Sequence, residues 1–186
     1  MISGPSGVGK TTIVHALLAE LDDLVRSVSY TTRPKRPHEI CGKDYHFIPE
    51  ARFKQLIRQG EFLEHARVFG HYYGTSRREI KELLSSGKCV IKEVDVQGAE
   101  TLRRPGRSLK IPRPIFIFLL PPSLEELTRR LAGRATEGEA QRRARLRTAE
   151  RELAEAPKFD HVIINRSVSQ VVAQIKEIIL RVRNGA

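Results

Sequence analysis

Gly4-Pro5-Ser6-Gly7-Val8-Gly9-Lys10-Thr11 has the residue types and spacing of a loop that cradles nucleotide phosphates. Gly4, Gly7 and Gly9 carry no side chain, so backbone N–H groups can turn inward around phosphate oxygens. Lys10 can place a point charge on the β- and γ-phosphates, and the Thr11 hydroxyl suits Mg²⁺. Thr12 continues into a helical pattern whose first N–H groups and dipole favour an anion. This chemistry predicts binding of a nucleoside triphosphate, with Mg²⁺ as the accompanying ion. A second set of anion-binding types follows in Ser29-Tyr30-Thr31-Thr32-Arg33-Pro34-Lys35-Arg36-Pro37-His38-Glu39 and Tyr45. Arg33 and Arg36 lie three apart between prolines that stiffen the backbone. Arginine offers a planar fork to phosphate oxygens, and tyrosine adds a neutral donor. A solvated basic loop is the competing reading of these residues taken alone.

The elements that must position these residues alternate. Thr12 to Leu21 has helical spacing, with Ile13, Leu17, Leu18 and Leu21 on one face. Val25 to Tyr30, Lys88 to Val94, Pro114 to Leu120 and His161 to Ile164 have strand character. The run Ile115 to Leu120 suits a strand buried on both faces. Ser76 to Ser86, Leu124 to Leu131, Glu139 to Ala154 and Val168 to Val182 are helical. Such alternation predicts an α/β fold, a P-loop core whose parallel sheet is wrapped by helices. Only Met1-Ile2-Ser3 precedes the loop, so the first strand is expected to be short, or the native N-terminus to lie upstream. Thr31 to Gly74 departs from the alternation and predicts a small, partly antiparallel insertion with a helix around Ala51 to Arg58. Arg129 to Arg151 is nearly all polar and predicts an exposed helical flap. The expected division is one domain, with a core of 1–30, 75–122 and 156–186, an insertion of 31–74 and a lid of 123–155.

Composition narrows the classes. The 186 residues are 40% hydrophobic and 30% charged, the balance of a single soluble domain. No apolar run is long enough to span a bilayer, and a phosphate loop starting at residue 4 leaves no length for a secretory signal. Cys41 and Cys89 stand alone, predicting neither disulfide nor zinc and fitting a reducing, cytoplasmic setting. The net charge of +11 could mean nucleic acid, but the chain has no Trp and no recognition motif of the usual RNA-binding modules. Dedicated nucleic-acid binding is therefore not predicted.

The stretch carrying Ser29, Thr31, Thr32, Arg33, Arg36, Glu39, Gly42, Tyr45 and Phe47 resembles the signature of the guanylate kinase family. The likeness runs on through Glu64-His65-Ala66, Gly70 to Thr75, Glu93 to Gly98, Pro121-Pro122-Ser123 and Gly133 to Glu137, and ends at Val162-Ile163-Ile164-Asn165. It implies that ATP occupies Gly4 to Thr12 and Asn165, and that Arg33, Arg36, Tyr45 and Tyr73 hold the phosphate of GMP, with Glu39 in the same site. It also implies that Ser29, Glu64, Thr75 and Asp95 surround the guanine. Guanine offers two adjacent donors, N1–H and N2–H₂, beside an O6 acceptor. A carboxylate such as Glu64 can accept both donors, and a hydroxyl such as Thr75 can donate to O6. Adenine would leave the carboxylate unpaired.

The same resemblance implies that Arg130, Arg134 and Arg145 close over the phosphates as catalytic residues alongside Lys10. Glu93, where many members have Asp, would help Thr11 hold magnesium. The implied reaction is Mg·ATP + GMP giving ADP + GDP, with dGMP as a candidate second acceptor. The partners are then small-molecule nucleotides, with neither nucleic acid nor membrane. The acceptor is already an anion, so the chemistry asks for positioning and charge neutralisation rather than a strong base. The rival reading is a scaffold-type guanylate-kinase-like domain that binds phosphoprotein partners. Such domains typically lose the P-loop lysine and often carry Pro in place of Ser29, whereas this chain has Lys10 and Ser29.

Overall fold

The computed structural model describes residues 1–104, 109–132 and 139–183, with the side chains of 131, 132 and 139–145 outside that description. The chain divides into two compact units: unit 1 comprises 1–22, 93–96 and 114–186, and unit 2 comprises 23–92 and 97–113.

Unit 1 is built on three parallel strands, β1 (Ile2–Ser3), β8 (Ile117–Leu120) and β9 (His161–Ile164), with β8 in the middle. The short first strand is thus present, and its outer side is met by a parallel bridge from Ile2 to Glu93, with Val94 N–H donating to Ile2 O at 3.0 Å. The strand expected over Pro114 to Leu120 forms ladder only from Ile117, because Phe116 N–H is taken by the Asp160 carboxylate at 2.8 Å. β8 is the buried strand predicted, with Ile117, Phe118 and Leu119 in the core. On β9, Ile163 is buried while Val162 and Ile164 are exposed.

α1 (Lys10–Glu20) turns Ile13, Val14 and Leu17 inward and packs against α7 (Val168–Arg183), whose buried face is Val171, Val172 and Ile175. Spacing of i, i+1 and i+4 on both helices makes this an apolar stripe rather than scattered contacts. α5 (Leu124–Ala132) opens on a Ser123 cap, whose Oγ accepts Glu126 N–H at 3.1 Å. α6 (Glu139–Ala154) is the polar helix predicted, but its last two turns are not free of the core. Ala149 and Leu146 pack on fully buried Leu127 of α5.

Unit 2 holds a two-stranded parallel ladder, β2 (Leu24–Arg26) with β7 (Cys89–Ile91), and a mixed sheet. The mixed sheet has the order β4 (Tyr45–Phe47), β3 (Ser29–Thr31), β6 (His71–Ser76), β5 (Phe62–Val68). β3 is parallel to β4 and antiparallel to β6, so the insertion is partly antiparallel as predicted. The single strand expected over Val25 to Tyr30 is instead two strands in two sheets. The break has a cause: Val28 N–H is captured by Glu79 Oε1 at 2.8 Å and leaves the ladder. Glu79 is the third residue of α3 (Arg77–Ser85), whose Ser76 cap accepts its N–H at 3.2 Å. α2 (Glu50–Arg58) and α4 (Val96–Arg103) complete the set, the latter not predicted from the sequence. No described helix is long and apolar enough to cross a membrane.

The core of unit 2 is aromatic. Phe53 of α2 is fully buried and stacks on Phe62 and Tyr72, at centroid distances of 4.5 and 5.4 Å. Gly74 lies against this stack, where an added Cβ would stand 2.9 Å from Phe53 Cζ and 3.0 Å from the Phe62 ring. Gly74→Ala should therefore cost about 1–3 kcal/mol of stability by overpacking, read as a lowered midpoint in thermal unfolding. An unchanged midpoint would mean the rings move aside freely.

Candidate active site

In unit 1 the loop from Gly4 to Gly9 carries positive φ at Gly4, Gly7 and Gly9, and Gly9 caps α1 at φ 102°. Its Val8 carbonyl is held by two donors: buried Asn165 Nδ2 at 2.7 Å and an Arg130 guanidinium nitrogen at 3.3 Å. A trans peptide points its C=O and the next N–H in opposite directions. Fixing the Val8 carbonyl therefore fixes the Gly9 N–H on the other side, as a phosphate cradle requires. A Cβ at Gly9 would sit 2.8 Å from Asn165 Nδ2 and break this brace. Asn165, predicted for ATP, thus acts on the loop's backbone; its own N–H donates to Leu120 O at 2.7 Å at the end of β8.

Lys10 Nζ donates to the carbonyls of Gly4 at 2.5 Å and Pro5 at 3.0 Å, which keeps the ammonium over the loop. Thr11 Oγ1 donates to Glu93 Oε1 at 2.7 Å. The two residues predicted for magnesium are therefore together beside the phosphate loop. Among the described residues no group of three or more His, Cys, Asp and Glu could hold a metal. One hydroxyl and one carboxylate fit magnesium well, since that ion keeps waters and takes phosphate oxygens instead of an all-protein cage. Arg130 is oriented by Glu126, Nε to Oε1 at 2.8 Å, while Arg129 takes Glu126 Oε2 at 2.6 Å. Of the other predicted arginines, Arg134 lies outside the described residues, and Arg145 falls on α6 with its side chain outside them.

Unit 2 carries the residues predicted as a second anion site. Arg33 grips Glu39 with both terminal nitrogens, at 2.6 and 3.0 Å, and Glu39 Oε2 also accepts the Arg36 N–H at 2.7 Å. The Arg33 guanidinium lies 5.4 Å from the Tyr45 ring centroid and 5.7 Å from that of Phe47, and Tyr45 meets Tyr73 edge-on at 5.9 Å. Two threonines set the turn that delivers it: Thr31 Oγ1 accepts Arg33 N–H at 3.2 Å, and Thr32 Oγ1 accepts Tyr72 N–H at 2.9 Å. Arg33, Tyr45 and Tyr73 are thus brought together, while the Arg36 side chain is exposed. Glu39 was predicted as a GMP-site residue; its oxygens are engaged by Arg33 and by the Arg36 backbone, so it acts as a holder of these donors.

On the same sheet Thr75 Oγ1 donates to Glu64 Oε1 in a very short bond, with both residues buried. A hydroxyl has one proton. While that bond stands, Thr75 is not the donor to O6 that its residue type suggests, and it presents lone pairs to a base. Asp95, predicted for the guanine, lies in unit 1.

The model of the guanylate kinase family matches residues 1–182. The chain belongs to the guanylate kinase family. It is 44% identical to the guanylate kinase of Thermotoga maritima over 96% of this chain and 84% of that protein. It is also 44% identical to the guanylate kinase of Lactobacillus acidophilus over 96% of this chain and 86% of that one. The crystal structure of guanylate kinase from Anaplasma phagocytophilum is similar with a TM-score of 0.73 and 34% identity, covering 98% of this chain and 83% of that chain.

The structural setting of four residues in this guanylate kinase family member escapes sequence reasoning. The Thr31 and Thr32 hydroxyls lock backbone, which the residue pattern records without its reason. Lys92 is 2% exposed, and its only signal is a lone charge closing the apolar run Cys89-Val90-Ile91. Glu152 of α6 is one charge among many in its helix. Burial pushes its carboxyl up; Lys10 opposes that, Asp95 adds to it, and the Ser6 backbone N–H opposes it.

Glu39 titrates in the other direction. Burial alone would raise its carboxyl, but the Arg33 fork and the Arg36 N–H bring it below the usual carboxylate value of 4.5. A carboxylate depressed in the folded state stabilises the fold fully above its unfolded value, and that contribution is lost as pH falls through the folded one. Glu39→Gln should therefore melt lower than the parent at pH 7, with the gap closing as pH falls below about 4.5. Parallel melting curves from pH 7 to pH 3 would contradict the assignment.

Proposed function

We propose that this protein is a guanylate kinase that transfers the γ-phosphoryl group of Mg·ATP to GMP, giving ADP and GDP. The observation that carries the reading is the pairing of buried Glu64 with Thr75 on one sheet, in a family member whose P-loop keeps Lys10 and Thr11. Glu64 would accept guanine N1–H and N2–H. Arg33, Tyr45 and Tyr73, with Arg36, would hold the acceptor phosphate, and Asp95 would complete the base site.

At the donor end, Lys10 would leave the Gly4 and Pro5 carbonyls for the β- and γ-phosphate oxygens. Thr11 and Glu93 would hold magnesium, which supplies charge neutralisation and alignment of the phosphates. The GMP phosphate oxygen is already ionised and attacks γ-phosphorus in line, ADP leaves, and no proton need move in that step. Arg130, with Arg134 and Arg145 as the resemblance implies, would take up charge on the equatorial oxygens. A cytoplasmic setting and the use of dGMP as a second acceptor belong to the same proposal. The scaffold reading is disfavoured by the intact loop and by Ser29.

A coupled ADP-release assay with ATP and each of GMP, AMP, CMP and UMP tests the reading. GMP should be preferred by orders of magnitude, and comparable turnover of AMP would overturn the base-site assignment. Lys10→Ala should lower kcat at least about a hundredfold, as removal of one transition-state donor does. Its GMP affinity, by titration calorimetry, should stay near that of the parent, since the GMP-phosphate residues come from other segments.

A further inference from the structure

We propose that Lys92 is a positioning residue of the base site, where its buried ammonium fixes the Ser29 hydroxyl as a hydrogen-bond donor toward the purine 6-oxygen. The inference rests on the guanine-site reading above and extends it to a residue outside the predicted set.

Lys92 follows β7 directly. Its place is set by the β2–β7 ladder, in which Arg26 pairs with Ile91 and Ser27 N–H donates to Ile91 O at 3.1 Å. The side chain is 2% exposed, and Nζ donates to Ser27 O at 3.2 Å and, in a very short bond, to Ser29 Oγ. A lysine so buried is costly to keep unless its charge meets acceptors. What the ammonium does for Ser29 supplies a reason for it.

An ammonium has three donors and no acceptor. Ser29 Oγ must therefore accept from Lys92, and its own proton must point elsewhere. The sheet sets where. β3 and β6 pair antiparallel with Tyr30 opposite Gly74 and Thr31 opposite Tyr73; continuing that register puts Ser29 opposite Thr75. β6 and β5 pair with Thr75 opposite Glu64. Ser29, Thr75 and Glu64 thus form one row across three adjacent strands, and paired positions share a face of the sheet.

The row has a polarity. Thr75 gives its proton to Glu64, which makes that end an acceptor, matched to guanine N1–H and N2–H₂. At the other end Lys92 turns Ser29 into a donor, matched to O6. Donation from a charged group also strengthens the bond that the hydroxyl makes in turn. Adenine would bring its 6-amino donor against the Ser29 proton, and with one Ser29 lone pair already taken by Lys92 the hydroxyl has only one left with which to turn and accept it. Discrimination at the 6-position then has a repulsive part as well as an attractive one.

The test measures binding of three monophosphates to the full-length protein. GMP and IMP keep O6, whereas 2-aminopurine riboside monophosphate lacks it and reports its own binding by fluorescence. The variants are Lys92→Met, which keeps volume without charge; Lys92→Gln, which keeps a neutral donor; and Ser29→Ala. Lys92→Met should weaken GMP and IMP by a similar factor of about five to ten, the worth of one hydrogen bond, and leave the 2-aminopurine nucleotide nearly unchanged. Lys92→Gln should recover part of the GMP preference. In the Ser29→Ala background, Lys92→Met should add nothing to the loss.

A purely structural lysine would instead weaken all three ligands in parallel, or none, and either result overturns the proposal. So does a Lys92→Met effect that persists undiminished in Ser29→Ala. Should Lys92→Met fail to fold, Lys92→Gln in the two Ser29 backgrounds decides the same question. Parent protein that did not prefer GMP would overturn the guanine-site reading itself, a failure distinct from an unmoved preference in the Lys92 variants.

Discussion

The direction of the Val8 peptide plane governs what unit 1 can do with a phosphate. A loop of backbone donors works only if its carbonyls are turned away from the anion, and nothing in a glycine-rich sequence enforces that by itself. Here Asn165, from the end of β9, and Arg130, from α5, both hold the Val8 carbonyl. Asn165 is tied in turn to the end of β8 through Leu120. The sheet's C-terminal edge and the helix beside it therefore converge on one oxygen atom, and the loop is braced from the side away from β1.

The same device recurs with carboxylates. Glu39 holds Arg33, Glu126 holds Arg130 and Arg129, and Glu93 holds the Thr11 hydroxyl. Glu39 and Glu126 sit beside arginines that the proposed function gives to phosphate, and Glu93 beside the hydroxyl that it gives to magnesium. Engaged in this way, each acid orients the donor before the ligand arrives, which is the condition for electrostatic stabilisation without reorganisation. A net charge of +11 thus understates how the charge is organised: the cations at the site are aimed.

Much of this was legible in the residues. The phosphate loop, the parallel strands, β9 and α6 follow from glycine spacing, apolar runs and helical polarity, and the structure places them where the pattern does. Other features depended on partners remote in sequence. Val25 to Tyr30 reads as one strand because nothing local predicts that Glu79 will take the Val28 N–H. α4 was missed since Gly98 weakens its helical pattern. The flap reads as nearly all polar and exposed, and Leu146 and Ala149 are few enough to be lost among arginines until Leu127 is seen beneath them. At the site, Thr75 reads as a donor to the base, and only its bond to Glu64 reveals where the proton goes.

Lys10 already leans on the Gly4 and Pro5 carbonyls. Its ammonium has given up part of its water in the resting protein, so a phosphate that arrives exchanges one set of oxygen acceptors for another. The dehydration penalty is then borne when the chain folds and not when the nucleotide binds. On the proposed function the loop is then tuned against its own resilience: a chain with an apolar residue in place of this lysine would forfeit the proposed transfer while keeping, or even gaining, resistance to heat.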